Sequence, residues 1–576
     1  MASAPPPKIE INPGFRRALD ILEGTDRHVF ITGKAGTGKS TLLELWRSQT
    51  LKRVAVLAPT GVAALNVRGQ TVHSFFGFKP DVTPDAVRKL PKPRGASASS
   101  AASSSSAGPP FSSAPASDRA ALYRNLDTVV IDEVSMVQAD LLDCVEKFLR
   151  LNGPRPGRWF GGLQMVFIGD LYQLPPVVTG RERGLFAPDP PSLRRGRRPA
   201  PAPSADDGLA GLSSAARYES PHFFSARIFG EPTFDMEFVE LEKVYRQTDA
   251  AFIGLLNAIR NRSVDESQVA LLNSRLSPSF SPPDGELYIT LTSTNDLAAV
   301  RNREKLASLS GPGRRYEGLV EGEFDRSSFP TDEALELKPG AQVMLLVNDR
   351  RGRFVNGTIG RVAAIRPVRG GDDIVSVDLP DGDRVDLSPN TWELYRVRYE
   401  AKRDRIESEA VGAFTQYPLR LAWAVTIHKS QGKTFDRVII DIGRGAFAHG
   451  QVYVALSRCT CFEGLVLRRP IEKKHIWMDW RIVRFLTRFQ YKKAEAALPA
   501  EARRALLLEA IREGRELEIV YLKPDDTKSR RRIRPEAVET MEYHGRTFEG
   551  VRAWCHKRGE RRTFRLDRIL EIADAS

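Results

Sequence analysis

The chain has 576 residues, of which 41% are hydrophobic and 27% are charged, and its formal net charge is +14. This length excludes a protein built on one hydrophobic core, so we expect three or more domains. The composition is that of a soluble globular protein, and the excess of Lys and Arg favours a polyanionic partner without identifying one, because cationic side chains replace the counterions condensed on phosphates.

The cysteine spacing and the first residues of the chain indicate the cellular compartment of the protein. Cys144, Cys459, Cys461 and Cys555 form no CxxC pair and have no paired histidines nearby, which indicates neither a zinc site nor a disulfide framework. The start, MASAPPPKIE, lacks the regions of a secretory signal, and no apolar run approaches the ~20 residues of a membrane helix. We therefore expect a soluble, cytoplasmic protein without membrane contact.

Apolar strand runs alternate with helical segments along most of the chain, which is typical of parallel α/β sheets. The predicted strands are His28–Thr32, Val54–Ala58, Thr128–Ile131, Met165–Ile168, Tyr288–Thr292 and Val438–Ile442. From about 335 the pattern changes to short strands with Gly-rich turns, which predicts an inserted β-barrel. The predicted domains are 1–232, 233–490 with the insertion at about 335–415, a linker at 491–503, and 504–576.

Two stretches of low complexity interrupt the first α/β domain. Residues 91–117 are nearly all Ser, Ala, Pro and Gly, and residues 181–217 are rich in Pro and Arg. Neither can bury enough apolar surface to offset its ordering entropy, so both are predicted to be disordered insertions. Their basic cluster is either a solvated loop or a DNA contact, and its members are Arg194, Arg195, Arg197 and Arg198.

The segment after the first predicted strand fits GxxxxGK[ST] and precedes a helical STLLELW. Its glycines let backbone N–H groups close around phosphates, and the helix N-terminus favours negative charge. Lys39 would neutralise the β and γ phosphates, and Ser40 would hold Mg²⁺. The predicted nucleotide contacts are Gly33, Lys34, Ala35, Gly36, Thr37, Gly38, Lys39, Ser40 and Thr41.

The predicted strand Thr128–Ile131 ends in two acids. Asp132 would complete the Mg²⁺ shell, and Glu133 would orient and deprotonate a water for attack on the γ-phosphate. A surface strand cap is the alternative for such a pair alone, but the upstream phosphate loop favours hydrolysis. The second acid also argues against a small-molecule kinase, which needs no activated water.

Three further residues suit phosphoryl transfer. Gln173, in the polar turn after the fourth predicted strand, is a candidate sensor of the γ-phosphate. Arg246 in VYRQ and Arg458 in YVALSRC are candidate stabilisers of the transition-state charge. Because both arginines lie far along the chain, hydrolysis would require closure of two domains, which is the coupling that a motor needs.

The run of motifs resembles the Pif-one/RecD helicases of superfamily 1B over roughly residues 12 to 465. The matching segments, in family order, are GKAGTGKS, APTGVAALNVRGQTVHSFF, VVIDEVSM, GDLYQLPPV, VYRQ, AVTIHKSQGKTFDRVIID and YVALSRC. The resemblance implies two RecA-like domains, ATP with Mg²⁺, and 5′→3′ travel on single-stranded DNA. It also implies that the β-rich insertion is an SH3-like subdomain over the DNA track.

The resemblance also implies DNA contacts at particular residues. In the first domain these are Thr60 with Gly61–Asn66, followed by His73, Ser74 and Phe75, whose ring would stack on a base. In the second domain they are Thr426, His428, Lys429, Ser430 and Gln431. Hydroxyls, amides and one cation suit a phosphate backbone.

The chain departs from the family pattern upstream of the phosphate loop. The family often has a glutamine there that reads adenine, whereas this chain has Phe15. Phe15 either stacks on the base or packs in the core, so the preference for ATP over other nucleotides stays open.

Residues 504–576 resemble a WYL domain, a small SH3-like β-fold, through LEIVYLKPDD, RRIRPEAVE and RTFRLDRILEI. The tripeptide that names the domain is replaced, apparently by Thr547-Phe548-Glu549. The family implies a pocket for a small ligand or nucleic acid, and the alternative is a solvated charged face. The candidate pocket residues are Tyr521, Arg532, Arg534, Trp554, Arg565 and Arg568, with Arg565 and Asp567 on one face.

The sequence therefore predicts a monomeric bacterial DNA helicase, associated with the nucleoid and acting on single-stranded, forked or tailed duplex DNA in replication, recombination or repair. Two alternatives stay open: an RNA helicase with the same ATP site, and an ATP-gated nucleic-acid-binding regulator in which the WYL domain senses a ligand. The combination of Glu133, Arg246 and Arg458 argues against the regulator, because a switch does not need a full set of hydrolytic groups.

Overall fold

A computed structural model describes residues 11–91, 116–187, 217–245, 247, 249–349, 351–443, 449–523, 528–543 and 546–575. The chain forms two compact units. The first comprises Met1–Leu256 and Glu266–Ile476, and the second comprises Asn257–Asp265 and Trp477–Ser576.

The first unit begins with a six-stranded parallel sheet in the order β3-β2-β4-β5-β1-β6. Its strands are β1 His28–Gly33, β2 Val54–Ala58, β3 Gln70–Thr71, β4 Thr128–Ile131, β5 Gln164–Gly169 and β6 Met236–Leu241. Its helices are α1 Pro13–Gly24, α2 Lys39–Gln49, α3 Gly61–Asn66, α4 Val72–Phe76, α5 Ala116–Arg124 and α6 Ala139–Asn152. Because parallel strands are covered on both faces, β4 and β5 are buried along their whole length.

A second parallel sheet in the same unit has the order β18-β7-β19-β20. Its strands are β7 Ile289–Thr292, β18 Ala424–Thr426, β19 Val438–Asp441 and β20 Leu465–Leu467. The accompanying helices are α8 Glu266–Asn273, α9 Asn295–Ala307 and α10 Gln451–Leu456, and α7 Ala250–Arg260 begins in this unit and ends in the second. The predicted parallel α/β fold is confirmed, and the six predicted strands agree with the structure to within one residue at each end.

Antiparallel strands separate β7 from β18, as predicted for the insertion. They are β8 Arg314–Glu317, β9 Leu319–Gly322, β10 Ala334–Leu337, β11 Gln342–Leu345, β12 Ile359–Arg366, β13 Ile374–Asp378, β14 Arg384–Leu387, β15 Asn390–Glu400, β16 Arg405–Gln416 and β17 Leu419–Leu421. The insertion thus begins about twenty residues before the predicted start at 335. The reason is that β8 and β9 are largely exposed and lack an alternating apolar pattern.

The second unit is a five-stranded antiparallel sheet, β24-β23-β22-β21-β25, with helices α11 Trp480–Ala497 and α12 Ala500–Glu513. The strands are β21 Leu517–Leu522, β22 Lys528–Tyr543, β23 Arg546–Cys555, β24 Glu560–Arg565 and β25 Ile569–Asp574. Leu507 and Ala510 of α12 pack into the core of the sheet. Residues 491–503, the predicted linker, lie in the two helices and the turn between them.

Three predicted boundaries differ from the structure. Strand β6 pairs with β1 in the first sheet, although the predicted boundary at 232 assigned it to the second domain. Helix α5 begins at Ala116, inside the first low-complexity stretch. In the second stretch, Arg181–Leu185 form a 3₁₀ turn, and Phe186 pairs with Tyr218 just beyond the stretch, because both rings are buried.

The remaining low-complexity residues, 92–115 and 188–216 with the cluster Arg194, Arg195, Arg197 and Arg198, lie outside the described residues. Within the described part of the chain, no helix combines the length and the apolar character needed to cross a bilayer.

Candidate nucleotide and DNA site

The phosphate loop joins the central strand β1 to helix α2. Gly36 and Gly38 have φ of 79° and 83°, a left-handed backbone that favours glycine. A Cβ at Gly33 would lie 2.7 Å from the Leu241 carbonyl oxygen, so β6 packs directly against the start of the loop. Gly38 caps α2 without a side-chain bond to the helix N–H groups. Such an end is suited to a phosphate.

The Lys39 ammonium lies over this loop. It donates hydrogen bonds to the carbonyl oxygens of Gly33 at 2.8 Å and Lys34 at 3.1 Å. The loop is closed on itself by the Thr37 hydroxyl, which donates to the Lys34 carbonyl at 2.9 Å. The predicted phosphate contacts are therefore gathered in one turn.

Two carboxylates stand at the end of β4, on the same edge of the sheet as the phosphate loop. Burial raises the pKa of Asp132, and repulsion from Glu133 adds to the rise. Burial also raises the pKa of Glu133, whereas the charges of Lys39 and Arg458 oppose this rise. The pair thus lies in a desolvated place where a cation would be favoured.

Glu133 has a left-handed backbone, with φ of 49° and ψ of 42°. This conformation is uncommon for a residue with a Cβ and carries a strain of about 1–3 kcal/mol. It turns the chain sharply between β4 and the 3₁₀ turn Val134–Met136.

Gln431 connects the two parallel sheets. Its Nε2 donates to Glu133 Oε2 at 3.2 Å and to Gln173 Oε1 at 3.2 Å. Gln173 Nε2 in turn donates to Asp170 Oδ2 at 3.2 Å. A side chain from the HKSQ segment therefore contacts both the candidate general base and the candidate γ-phosphate sensor.

Arg458 is only 1% exposed and lies two residues after the end of α10. Its guanidinium donates to the carbonyl oxygens of Val454 at 3.0 Å and Lys433 at 3.1 Å. The structure therefore holds Arg458 in its own domain, near enough to Glu133 to act on it electrostatically. Arg246, the other predicted charge stabiliser, lies outside the described residues.

Of the two alternatives for Phe15, the structure shows packing in the core rather than contact with a base. Phe15 is 2% exposed, and its ring lies 2.9 Å from the place where a Cβ at Gly38 would stand. It packs in the core of the first sheet because α1 is amphipathic and turns Phe15, Ala18 and Leu22 inward. Phe15 supports the phosphate loop from behind.

The predicted DNA contacts of the first domain lie at two short helices. The Thr60 hydroxyl caps α3 by accepting from Ala63 N–H at 3.3 Å. Ser74 is exposed, and burial lowers the pKa of half-buried His73. Phe75, predicted to stack on a base, is only 4% exposed, so that expectation is wrong. Its ring packs against Phe76 and Tyr123, which the family motif alone does not reveal.

The HKSQ segment of the second domain follows β18. Thr426 and Ser430 are buried, and the Ser430 hydroxyl donates to the Ile427 carbonyl at 2.7 Å. His428 is half-buried and Lys429 is exposed, and burial lowers the pKa of each side chain. Only His428, Lys429 and Gln431 therefore expose side chains from this segment.

The C-terminal candidate residues do not form one pocket. Ile533 and Cys555 are paired, buried residues, so their neighbours Arg532, Arg534 and Trp554 point to the opposite face of the sheet. Arg532 pairs there with Glu516.

Of the remaining C-terminal candidates, Tyr521 packs against the core, whereas Arg565 follows buried Phe564 in β24 and points to the opposite face. Tyr521 packs against Phe564, and its hydroxyl accepts from Arg565 N–H at 3.4 Å. The Arg565 guanidinium bonds to Asp567, and Arg568 ends the adjoining 3₁₀ turn. A ligand for these residues stays a prediction.

Several residues at the nucleotide site were not predicted. The Tyr453 hydroxyl accepts from the Ala35 N–H of the phosphate loop at 3.3 Å. Buried Gln247 donates to the carbonyl oxygens of Ser457 and Cys459. Tyr245 donates through its N–H to the Gly36 carbonyl at 2.8 Å, and its hydroxyl accepts from Asn12 at 2.9 Å. Each polar residue lies within or beside a quoted motif, which is the signal that could have indicated it.

Known families match two parts of the chain. A family model described as an AAA domain matches residues 10–189, and one described as a WYL domain matches residues 504–573. The ATP-dependent DNA helicase PIF1 of Danio rerio is 32% identical over 463 residues, which are 77% of this chain and 58% of that protein. The chain thus spans little more than half of that relative. The ATP-dependent DNA helicase Pif1 of Bdellovibrio bacteriovorus is 28% identical over 84% of this chain and 93% of its own length.

Solved structures of Pif1 from Bacteroides are 31% identical and match 84% of this chain and 98% of their own. The TM-score is 0.67 for the complex with ADP-AlF4, 0.65 for the unliganded protein and 0.53 for the complex with single-stranded DNA. On that identity and coverage, the chain belongs to the Pif1 helicase family.

Proposed function

We propose that the protein is an ATP-dependent DNA helicase that moves 5′→3′ along single-stranded DNA and separates duplexes. The observation that carries the proposal is the Gln431 side chain, which bonds both Glu133 and Gln173. Gln431 adjoins Lys429 and Ser430, so one short segment links the hydrolytic groups to candidate DNA contacts. The direction of movement is taken from the family resemblance.

The first sheet binds the nucleotide in this proposal. The phosphates lie against the N-terminus of α2, where Gly36, Gly38 and the ammonium of Lys39 favour negative charge. Mg²⁺ fits the Ser40 hydroxyl and the Asp132 carboxylate, because it prefers oxygen ligands and otherwise retains water and phosphate oxygens. When bound, Mg²⁺ neutralises charge on the phosphates, and it would lower the pKa values that burial raises at Asp132 and Glu133.

The base would lie beside Tyr245 rather than Phe15. Tyr245 is 44% exposed, and its N–H donates to the Gly36 carbonyl of the phosphate loop. Tyr245 would give a stacking surface, which accepts any base. We therefore expect weak discrimination among nucleoside triphosphates.

Hydrolysis requires a positioned water and positive charge that stabilises the negative charge of the transition state. Glu133 would take the proton of the attacking water, and Gln431 and Gln173 would fix the orientation of that carboxylate. Arg458 would add positive charge, together with Arg246 when the two domains close. This arrangement makes the rate of hydrolysis depend on the position of the HKSQ segment.

DNA would follow the exposed polar groups near α3, α4 and the HKSQ segment. Thr60, Gly61, His73, Ser74, His428 and Lys429 would contact the backbone of a single strand. Because Phe75 is buried, its ring would support α4 instead of stacking on bases.

The first experiment is steady-state ATP hydrolysis with and without a single-stranded DNA oligonucleotide. We expect strong stimulation by DNA, a loss of about 10²–10⁴-fold in Glu133→Gln, and no activity with EDTA. Gln431→Ala should bind DNA and nucleotide but lose most of the stimulation. Unwinding of matched DNA and RNA duplexes with 5′ or 3′ tails tests the substrate and direction.

Two results would overturn the proposal. The first is hydrolysis that DNA leaves unchanged although DNA binds tightly, which would favour the ATP-gated regulator. The second is strand separation that survives intact in Lys39→Ala, because this variant lacks the phosphate-binding ammonium.

A further inference from the structure

The turn before α10 makes a close backbone contact with the loop after β5. Gly450 has φ of 71° and ψ of −8° and caps α10. A Cβ at Gly450 would lie 2.3 Å from the Tyr172 carbonyl oxygen and 2.6 Å from that of Gln173. Such distances are far inside van der Waals contact, so only glycine fits this position without displacing one of the two backbones.

The neighbouring residue bonds to the same loop. His449 Nε2 lies 3.2 Å from the Leu171 carbonyl oxygen. Because a carbonyl oxygen only accepts, the imidazole must carry its proton on Nε2 here. His449 and Gly450 together therefore hold the whole Leu171–Gln173 segment, whose last residue is the candidate γ-phosphate sensor.

The same short helix carries two other groups of the site. Tyr453 reaches the phosphate loop at Ala35, and Arg458 follows the end of α10. Any change in the separation between Gln173 and Gly450 would consequently shift both groups relative to the nucleotide.

We propose that Gly450 is a positioning residue that sets the distance between the Leu171–Gln173 segment and α10 when the two parallel sheets are together. His449 would fix the position of α10 along that segment. The proposal rests on the proposed ATP hydrolysis and deepens it. Gly450 touches no reacting atom and acts through Gln173, Tyr453 and Arg458. A displacement of about 1 Å at such groups typically costs on the order of 10²-fold in rate.

The experiment compares Gly450→Ala with Gly514→Ala in the full chain. Gly514 has a similar φ of 66°, and a Cβ there would meet no atom within 4 Å. Both variants carry the backbone strain of a left-handed alanine, but only Gly450→Ala introduces the contact with Tyr172 and Gln173. The measurements are kcat of DNA-stimulated hydrolysis, affinity for a fluorescent ADP analogue, and the shift in Tm caused by ADP with aluminium fluoride.

We expect Gly450→Ala to lose about 10–100-fold in kcat and to lose the extra Tm shift that aluminium fluoride adds to ADP. Its affinity for the ADP analogue should stay within about twofold of wild type, because the phosphate loop is intact. Gly514→Ala should match wild type in all three measurements. If Gly450→Ala fails to fold, His449→Ala, which adds no atoms, should show the same division between kcat and ADP affinity.

If folded Gly450→Ala has the same kcat as wild type and the same extra Tm shift with aluminium fluoride, this inference is overturned and the helicase proposal stands. Equal losses in Gly450→Ala and Gly514→Ala would also overturn it, because backbone strain alone would then explain them. A wild-type chain without DNA-stimulated hydrolysis would instead contradict the proposed function itself.

Discussion

Phe15 and Tyr245 both lie close to the phosphate loop, and they differ in exposure. Phe15 is buried beneath Gly38, whereas Tyr245 lies beside Gly36 with nearly half of its surface in solvent. Tyr245 is fixed by its hydrogen bonds to Gly36 and Asn12, and the Lys243 ammonium lies 5.2 Å from its ring centroid. A ring that is both anchored and exposed is suited to stacking, because little conformational freedom is lost on binding.

We expect Tyr245→Ala to raise KM for ATP by about tenfold, since stacking of a base on an aromatic ring contributes about 1–3 kcal/mol. The kcat should change little, because the hydrolytic groups are untouched. Tyr245→Phe keeps the ring and loses only the bond to Asn12, so its KM should stay near wild type. Steady-state kinetics with ATP and GTP measure this, and equal KM values for wild type and Tyr245→Ala would contradict it.

Helix α6 carries three buried acidic side chains. Asp140, Asp143 and Glu146 lie on one helical stretch and are all buried, and burial raises the pKa of each. Asp143 accepts from the Tyr218 hydroxyl, and Glu146 pairs with Arg150. The Oδ1 of Asp140 lacks a hydrogen-bond partner among the described residues, as does Oε1 of Glu146, but no cation pairs with Asp140 there, and its pKa is raised to about 6.

We therefore expect Asp140→Asn to stabilise the protein at pH 7.5 by about 1–3 kcal/mol. A carboxyl with a raised folded-state pKa binds its proton more tightly in the folded state. Its destabilising effect is thus full above pH 6 and disappears as pH falls towards 3.8, the unfolded value. Urea unfolding of wild type and variant at pH 7.5 and pH 5 measures this, and a stabilisation that does not shrink at pH 5 would contradict the argument.

The strands show which elements the sequence encodes locally. The bounds of β2 and β4 follow from the sequence because buried parallel strands are continuous apolar runs. The sheet assignment of β6 does not, since its pairing with β1 joins residues about two hundred positions apart. The exposed strands β8 and β9 lack a hydrophobic pattern, so the predicted start of the insertion lies too far along the chain.

The candidate site also contains residues that the sequence predicts and residues that it does not. The phosphate loop, Asp132 and Glu133 are predictable because one local motif carries each chemical role. Phe75 was assigned to DNA and Phe15 was left between a base and the core, yet both are core residues, since a motif does not show which way a ring points. Tyr453 and Gly450 act across the cleft, and that contact exists only once the two sheets are assembled.

At the scale of the whole molecule, the structure is more similar to the unliganded Bacteroides relative than to that protein bound to single-stranded DNA. The same Bacteroides protein gives TM-scores of 0.65 unliganded and 0.53 with single-stranded DNA, at equal identity and coverage. In this chain the 3₁₀ turn Arg326–Ser328 of the insertion covers the start of α3. A Cβ at Gly61 would lie 2.0 Å from Ser328 Oγ and 2.6 Å from Ser328 Cβ.

This contact lies where the proposed DNA track begins, at Thr60 and Gly61. A DNA backbone cannot occupy the start of α3 while Ser328 lies on it, so binding must favour a state in which the two are apart. A disulfide between Gly61→Cys and Ser328→Cys would hold the covered state after a shift of about 1 Å, because the two Cβ positions lie 2.6 Å apart and a disulfide separates them by about 3.5–4.5 Å.

We expect the oxidised double variant to bind a single-stranded DNA oligonucleotide at least tenfold more weakly than the same protein after reduction. Affinity for a fluorescent ADP analogue should be equal in the two states, because the phosphate loop does not contact Ser328. Fluorescence anisotropy measures both affinities, and each single-cysteine variant under the same oxidation provides the control. If the oxidised and reduced forms bind DNA equally, the turn does not cover the track, and DNA must follow a path that leaves Gly61 and Ser328 together.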